Sequence, residues 1–465
     1  MQKILLLIAS LFYFNFILAE NEIKSWQGIH ETPLSCLEQQ FAEPPVEFAN
    51  HVIWGWEGKM DKKTICNDLD SIKKKGFRAV IFEAGYKLPF KYLSEEWFKA
   101  IRTGVLEAKK RGMKVWIIDE GKYPSGFAGG KFSQERPDLR MQALVIGDTI
   151  QIKRGEVMTN HKIAPEIISA VAVSTSGAPN RTVAINNGEI SFNAGLDDWK
   201  ILLVKSDFRT AVTRAVNNPN GGKDATNSLC DYLNPVAVQQ FIDWTHKQYK
   251  KYLGKELGTT VLGFRGDEPD YAHLPWTPSI VQTFKDTKGY DPTPYLASFF
   301  TASPTIQEQR VKADYWDVWS SLFATHFFKL QADWCAANGV AHITHLNKEH
   351  EMPACVKAEG DYFRNLSKVQ IPGVDAIWNQ IWPSTLNDFP KLASSVAHVY
   401  GKPRAFSESF AAYHISPTIP QAKFVVDHQI ARGINFFEFM FWPAGSKHRN
   451  WMSDPGMKGL NEYTN

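Results

Sequence analysis

HVIWGW at 51–56, RAVIFE at 78–83 and MKVWIID at 113–119 are three apolar runs, each separated from the next by one helix-length amphipathic segment. Ile65, Leu69 and Ile72 share a helical face between the first two runs, and Phe98, Ile101 and Val105 share one between the second and third. Continuous apolar runs, rather than alternating ones, are what parallel strands covered on both faces require. The rhythm resumes at Asn234, a helix N-cap with Pro235 at the first helical position. Further strands are expected at TTVLGFR (259–265), VAHITH (340–345), VDAIW (374–378), RAFSES (404–409) and INFFEFMF (434–441). Helices are expected through Val238, Phe241, Thr245, Tyr249 and Tyr252, over 307–338, through Phe389, Leu392, Val396 and Tyr400, and from Ser416 and Pro417. Eight strands joined by right-handed crossovers predict an α/β fold, a (β/α)8 TIM-type barrel. A doubly wound open sheet fits less well, because WGWEG at 54–58 is neither a phosphate loop nor a dinucleotide fingerprint.

Between the third and fourth strands the pattern changes. VIGDTIQIK, ISAVAVST, RTVAINNGEISFN and WKILLVKSDF are short alternating segments separated by turn residues, which predicts an inserted antiparallel β domain after strand three. The chain therefore divides into a signal peptide (1–19), an N-terminal segment (20–49), a first part of the barrel (50–142), the inserted domain (143–210) and the rest of the barrel (211–465). The Asn- and Gly-rich residues after 210 read as a long loop returning to the barrel. Only about two dozen residues follow strand eight, scarcely room for an eighth helix, so the chain is expected to be part of a longer protein.

Lys3, the apolar run from Ile4 to Leu18 and the small Ala19 before Glu20 have the form of a secretory signal, so a secreted or periplasmic protein is expected, with no membrane span after cleavage. The 52 basic and 49 acidic residues nearly balance, which argues against a nucleic-acid partner. The 13% aromatic content leans toward carbohydrate, because Trp and Tyr faces match the apolar faces of sugar rings, although most such residues belong to cores. Cys36, Cys66, Cys230, Cys335 and Cys355 match neither a zinc pattern nor a disulfide framework; one pair could bond after export.

A barrel builds its site at the C-terminal ends of its strands. That selects Trp56, Glu57, Glu83, Asp119, Glu120, Asp267, Glu268, His345, Trp378, Asn379, Glu408, Glu438 and Trp442. Carboxylates dominate, and glycosidic cleavage needs two: one protonated to expel the leaving oxygen, one ionised to attack or to activate water. Glu268 and Glu408, at the ends of strands four and seven, are the expected catalytic pair. A helix-capping or loop role is the structural alternative for Glu268, and an ionisable group among the aromatics of FSESF at 406–410 is costly without a task. Trp56, Glu83, Asp119, Glu120, Asp267, His345, Trp378, Asn379 and Trp442 are the expected substrate-binding residues. The glycines after Glu120 serve equally well as turn residues. His342, His345 and His350 lack the HExxH spacing, so no metal ligands are assigned; a hard cation such as calcium suits the carboxylates better than zinc.

YPSGFAGG at 123–130, after Asp119 and Glu120, resembles a stretch of glycoside hydrolase family 106, the α-L-rhamnosidase-like group. DYLNP (231–235), GDEP (266–269), LPWTP (274–278), GYD (289–291), DYFR (361–364), IPGVD (371–375), SESF (407–410) and RGIN (432–435) are similar too, and in the same order. The resemblance implies release of a terminal sugar such as L-rhamnose from plant or bacterial glycans, an oligosaccharide or polysaccharide substrate, and calcium at the site. It also favours Glu268 and Glu408 by position. Tyr123 stands where the family usually has Trp, HLNKEHE at 345–351 differs, and family members usually continue into further β domains. Two other readings fit the residues alone: a non-catalytic glycan-binding protein on a degenerate barrel, and a metal-dependent ester or phosphate hydrolase.

Overall fold

The structure, a computed structural model, describes residues 33–445 apart from 86–87, 122–123, 210–212, 215–222, 225–227, 270, 272–273, 386, 412 and 414–416. The expected signal peptide, Tyr123, most of the loop after 210, Ser416 and the residues beyond 445 lie outside the described residues.

Eight parallel strands close into a barrel: β1 (His51–Trp56), β2 (Ala79–Ala84), β3 (Lys114–Ile118), β4 (Val261–Gly266), β5 (Ala341–Thr344), β6 (Ile371–Ala376), β7 (Phe406–Ser409) and β8 (Phe436–Pro443). Seven lie within two residues of the expected runs. β6 begins three residues earlier than VDAIW, because Pro372 and Gly373 read as breakers in the sequence and are strand residues in the fold. Gly373 is there for space: a Cβ would sit 2.1 Å from the Phe406 ring.

Ile53, Ile81, Trp116, Leu262, Ile343, Phe406 and Phe436 fill the barrel interior. Val52, Trp54, Val80 and Phe82 face the other way, onto the helices. That alternation is the two-residue period of a strand. Helix Lys62–Lys74 buries Ile65, Leu69 and Ile72, and helix Glu95–Lys110 buries Phe98, Ile101 and Val105, as their spacing implies. The segment after Asn234 is two helices, Pro235–Trp244 and His246–Leu253, because Thr245 (φ −113°, ψ −86°) breaks the run and gives its hydroxyl to the Phe241 carbonyl. In helix Pro390–Val399 the buried face is Ala393, Val396 and Ala397, and Tyr400 is exposed.

The insertion is antiparallel. A five-stranded sheet runs in the order Pro275–Trp276, Gln142–Ile152, Trp199–Phe208, Ile167–Ser174, Arg181–Thr182, beside a three-stranded sheet of Val157–Lys162, Glu189–Asn193 and Ile185–Asn186. Strand Trp199–Phe208 is covered on both faces: Ile201 and Leu203 point into the insertion's own core, while Leu202 and Val204 join the core of the main body. The strand Pro275–Trp276 comes from the loop after β4, so the insertion leans on the segment that carries Glu268.

Gly263 offers a test of barrel packing. A β-bulge between Val261 and Gly263 turns this residue toward Trp116, where a Cβ would lie 2.0 Å from the Ala341 carbonyl oxygen. Gly263→Ala is expected to destabilise the chain by about 1–3 kcal/mol or more, the cost of overpacking, as read from the denaturant midpoint.

Candidate active site

Arg265, the penultimate residue of β4, points into the barrel and is completely buried. Its Nη1 lies 2.6 Å from Asp267 Oδ1, its Nε donates to Glu438 Oε2 on β8 at 3.2 Å, and its Nη2 is ion-paired with Glu408 Oε2 on β7. Asp375, Glu408 and Glu438 occupy one level of three neighbouring strands, since Asp375 pairs in register with Glu408 and Glu408 with Glu438. His345, just past β5, closes the group with Nε2 3.3 Å from Glu408 Oε2 and 3.5 Å from Asp267 Oδ1.

The His345 ring is oriented by its far nitrogen, which donates to the Leu346 carbonyl at 2.8 Å. Nε2 is then shared. It accepts from Arg265 Nη2 at 2.7 Å when neutral and donates to Glu408 when protonated. Burial and Arg265 push against the charge, but the bond to Glu408 and the field of Glu349 overcome them and lift the imidazole to about 9.

The two expected catalytic carboxylates sit in opposite environments. Burial raises Glu268 to about 8, helped by the negative charge of Asp267. Burial would also raise Glu408, but Arg265 and His345 outweigh it and hold Glu408 at about 2. At neutral pH Glu268 therefore carries a proton and Glu408 does not. The remaining acids follow the desolvation rule: Glu438 and Glu349 rise to about 7, and Asp375 rises well above its usual range through burial and the charges of Glu408 and Glu268.

Glu268 is half-buried with φ +38°, a left-handed backbone that side-chain-bearing residues rarely adopt and that clusters at functional sites. The loop after β3 fixes this turn. Ser125 Oγ donates to Asp119 Oδ1 and accepts from the Asp267 backbone N–H, both at 2.7 Å, while the Ser125 N–H donates to the Asp267 carbonyl at 2.8 Å.

The other expected binding residues divide. Asp267 and His345 belong to the central group, and Glu83 lies at the C-terminal end of β2 on the face of Ile81, toward the barrel interior. Trp378 is 46% exposed beyond β6 with φ +56°, and Asn379 follows with φ +57°. Asp119 is buried as the partner of Ser125. Glu120 is buried as well, and it accepts backbone N–H groups from Gly121, Ala128 and Gly129; it is the hub around which the glycine-rich loop folds. Trp56 and Trp442 are corrections: both are fully buried on the helix-facing side of the barrel, Trp56 against Phe82 and Trp97, and neither offers a face to a sugar. The strand-end rule selects a level of the barrel but not a side of the strand, which the pleat decides.

Arg265, Asp375 and Glu349 were not expected. An arginine inside an apolar strand run was the available signal for the first, and the shifted start of β6 concealed the second. The acid-rich 345–351 loop was the signal for the third.

Among the described residues, two sets at the site bring three metal-ligating atoms within 4.8 Å: Asp267, His345 and Glu408, and Glu268, His345 and Asp375. The Arg265 guanidinium already lies against the first. The guanidinium also touches His345 of the second, but Asp375 Oδ1 is buried there without a hydrogen-bond partner, which fits an oxygen-seeking hard cation. Glu349 adds a further acid, its carboxylate lying against the Asp375 backbone.

All five cysteines are free, and among the described residues no helix is long and apolar enough to cross a membrane.

A family model described as alpha-L-rhamnosidase, glycoside hydrolase family 106, matches residues 159–444, more than half of the chain. A protein of Formosa agariphila named "Putative beta-glucuronidase" is 24% identical over 90% of this chain and 39% of its own length. A solved structure of a rhamnosidase from Novosphingobium sp. PP1Y superposes with a TM-score of 0.69 at 15% identity, covering 92% of this chain and 58% of that one. The chain thus spans less than two thirds of either relative, and the solved structure supports the barrel fold.

The buried acids give a signed pH prediction. Glu268 (about 8) and Glu438 (about 7) keep their protons in the folded state above the pH at which the unfolded chain releases them near 4.5, and His345 gains its extra proton up to about 9. The folded state then binds more protons than the unfolded one, so stability falls as pH rises from about 5 to 8. Glu408 acts oppositely, and its contribution is lost as pH falls from 4.5 toward 2. Denaturant midpoints are expected to be higher at pH 5 than at pH 8. Arg265→Met, which removes the guanidinium from Asp267, Glu408 and Glu438, is expected to cost about 3–5 kcal/mol at neutral pH and less at low pH.

Proposed function

The chain belongs to glycoside hydrolase family 106, and from that premise we propose that it is a secreted enzyme releasing a terminal α-L-rhamnosyl residue from plant or bacterial glycans. What carries the chemistry is the convergence of Glu268 and Glu408 on His345 at one barrel mouth, with burial raising the first and Arg265 and His345 holding the second down. Two carboxyl groups whose surroundings push their pKa values apart are the means by which a fold runs acid and base steps at a single pH.

Glu268 is the general acid: its proton passes to the glycosidic oxygen as the bond to the anomeric carbon breaks. Glu408 is the ionised partner, either attacking the anomeric carbon or taking a proton from the water that does. Arg265 and His345 keep Glu408 ionised, and Ser125 fixes the turn that presents Glu268. Trp378 is the half-exposed aromatic face for the sugar ring. A hard cation such as calcium, which Asp375 and Glu349 would hold, supplies when bound the positive charge that lets these acids ionise, and a contact for sugar hydroxyls. The N-terminal apolar run supports export. The β-glucuronidase name of one relative makes a uronic acid the competing sugar.

Turnover of aryl α-L-rhamnosides, with aryl β-D-glucuronides as the comparison, tests the sugar. Hydrolysis of the glucuronide alone would replace the sugar and keep the mechanism. On rhamnosides with a poor leaving group, Glu268→Gln and Glu408→Gln are each expected to lower kcat/KM by about 10²–10⁴. Glu268→Gln should also remove the alkaline limb near pH 8 and retain most activity on substrates with a good leaving group. Near-normal rates in both variants would exclude this chemistry. The anomer first released, read by NMR, distinguishes direct attack from water activation. Chelation is expected to reduce activity and added calcium to restore it.

A further inference from the structure

Behind β4 and β5, on the helix side of the barrel wall, two histidines and a cysteine converge. His342 lies on β5 between Ala341 and Ile343, both of which point into the barrel, so its ring points away from it. His246 begins helix His246–Leu253, and Cys335 lies on helix Lys329–Ala337. One ligand atom from each lies within 4.8 Å of the other two, and none of the three residues exceeds 1% exposure. Phe264 and Trp334 pack on the His246 ring with centroids 4.2 and 5.3 Å away.

The hydrogen bonds fix the His246 tautomer. Thr245 Oγ1 uses its one proton on the Phe241 carbonyl at 2.7 Å, so toward His246 Nδ1, 2.9 Å away, it can only accept. Nδ1 therefore carries the hydrogen, and the lone pair of Nε2 points into the buried cluster with no hydrogen-bond partner. Both ring nitrogens of His342 are likewise buried and unpartnered. Burial lowers both imidazoles and raises the Cys335 thiol, so the imidazoles stay neutral, as ligation requires. A histidine whose far nitrogen is anchored, with its near lone pair facing a second histidine and a thiol, has the arrangement of a metal ligand.

We propose that His246, His342 and Cys335 form a binding site for one soft closed-shell cation, zinc or copper(I), separate from the carboxylates of the barrel mouth. On binding, the Cys335 S–H bond breaks, its proton leaves to solvent, and a sulfur–metal bond forms with no change of oxidation state. Thiolate and imidazole together select soft ions. With copper(I) the three-ligand complex is electrically neutral, which suits an aromatic interior better than a residual charge. The ion ties helices His246–Leu253 and Lys329–Ala337 to β5, three residues before His345.

The full chain, purified under chelation, is to be loaded separately with zinc chloride and with copper(I) under anaerobic conditions, desalted, and assayed for bound metal and Tm. One equivalent of either metal and a Tm raised by several degrees are expected. Cobalt(II) loading should add a thiolate-to-cobalt absorption band. Cys335→Ser should lose the band and the Tm response, and Glu408→Gln should keep both. His342→Gln provides a second variant should the serine fail to fold. Substoichiometric metal with an unchanged Tm overturns the proposal, as does full metal retention in Cys335→Ser, which would place the ion elsewhere.

Discussion

A single buried cation organises the centre of this barrel. Removing a guanidinium from water is costly unless carboxylates surround it, and Arg265 draws Asp267 after β4, Glu408 on β7 and Glu438 on β8 to one point. Supply is short on the positive side: Glu268, Glu349 and Asp375 crowd the same level, with His345 as the other basic group. Glu408, with the guanidinium and the imidazole beside it, keeps its charge, whereas desolvation raises Glu268 and Asp375. The unequal states of Glu268 and Glu408 thus follow from where one arginine reaches.

The surrounding structure holds that distribution in place. Ser125 joins the loop after β3 to the turn at Asp267, and the Tyr232 hydroxyl donates to the Ser125 carbonyl. Glu120 collects three backbone N–H groups and folds the glycine-rich segment around itself. Residues that look from their position like substrate ligands therefore form the wall against which the catalytic turn is set. The inserted sheet adds to this support, since its edge strand Pro275–Trp276 leaves the same loop.

How much was legible depended on which physical rule governed each element. Parallel strands buried on both faces announce themselves as apolar runs, and seven of eight were readable within two residues. β6 was misplaced because Pro372 and Gly373 normally interrupt strands; here the glycine makes room for the Phe406 ring, a long-range fact. The same displacement hid Asp375. Trp56 and Trp442 stand at strand ends, yet the pleat turns them to the helices, where they fill the space left by Phe82, Trp97 and Trp54. The segment around His246 reads as one helix, whereas the fold breaks it at Thr245 and sets His246 beside Cys335 and His342.

The sequence by itself determined the barrel, the antiparallel insertion and the position of a carboxylate pair at strands four and seven, because periodicity and motif order are local properties of a chain. Which carboxylate is charged, which tryptophan meets solvent and which histidines share a cavity were decided by tertiary structure alone. Those properties depend on desolvation and on Arg265 reaching residues 143 and 173 positions away in the chain, and no local pattern records that reach.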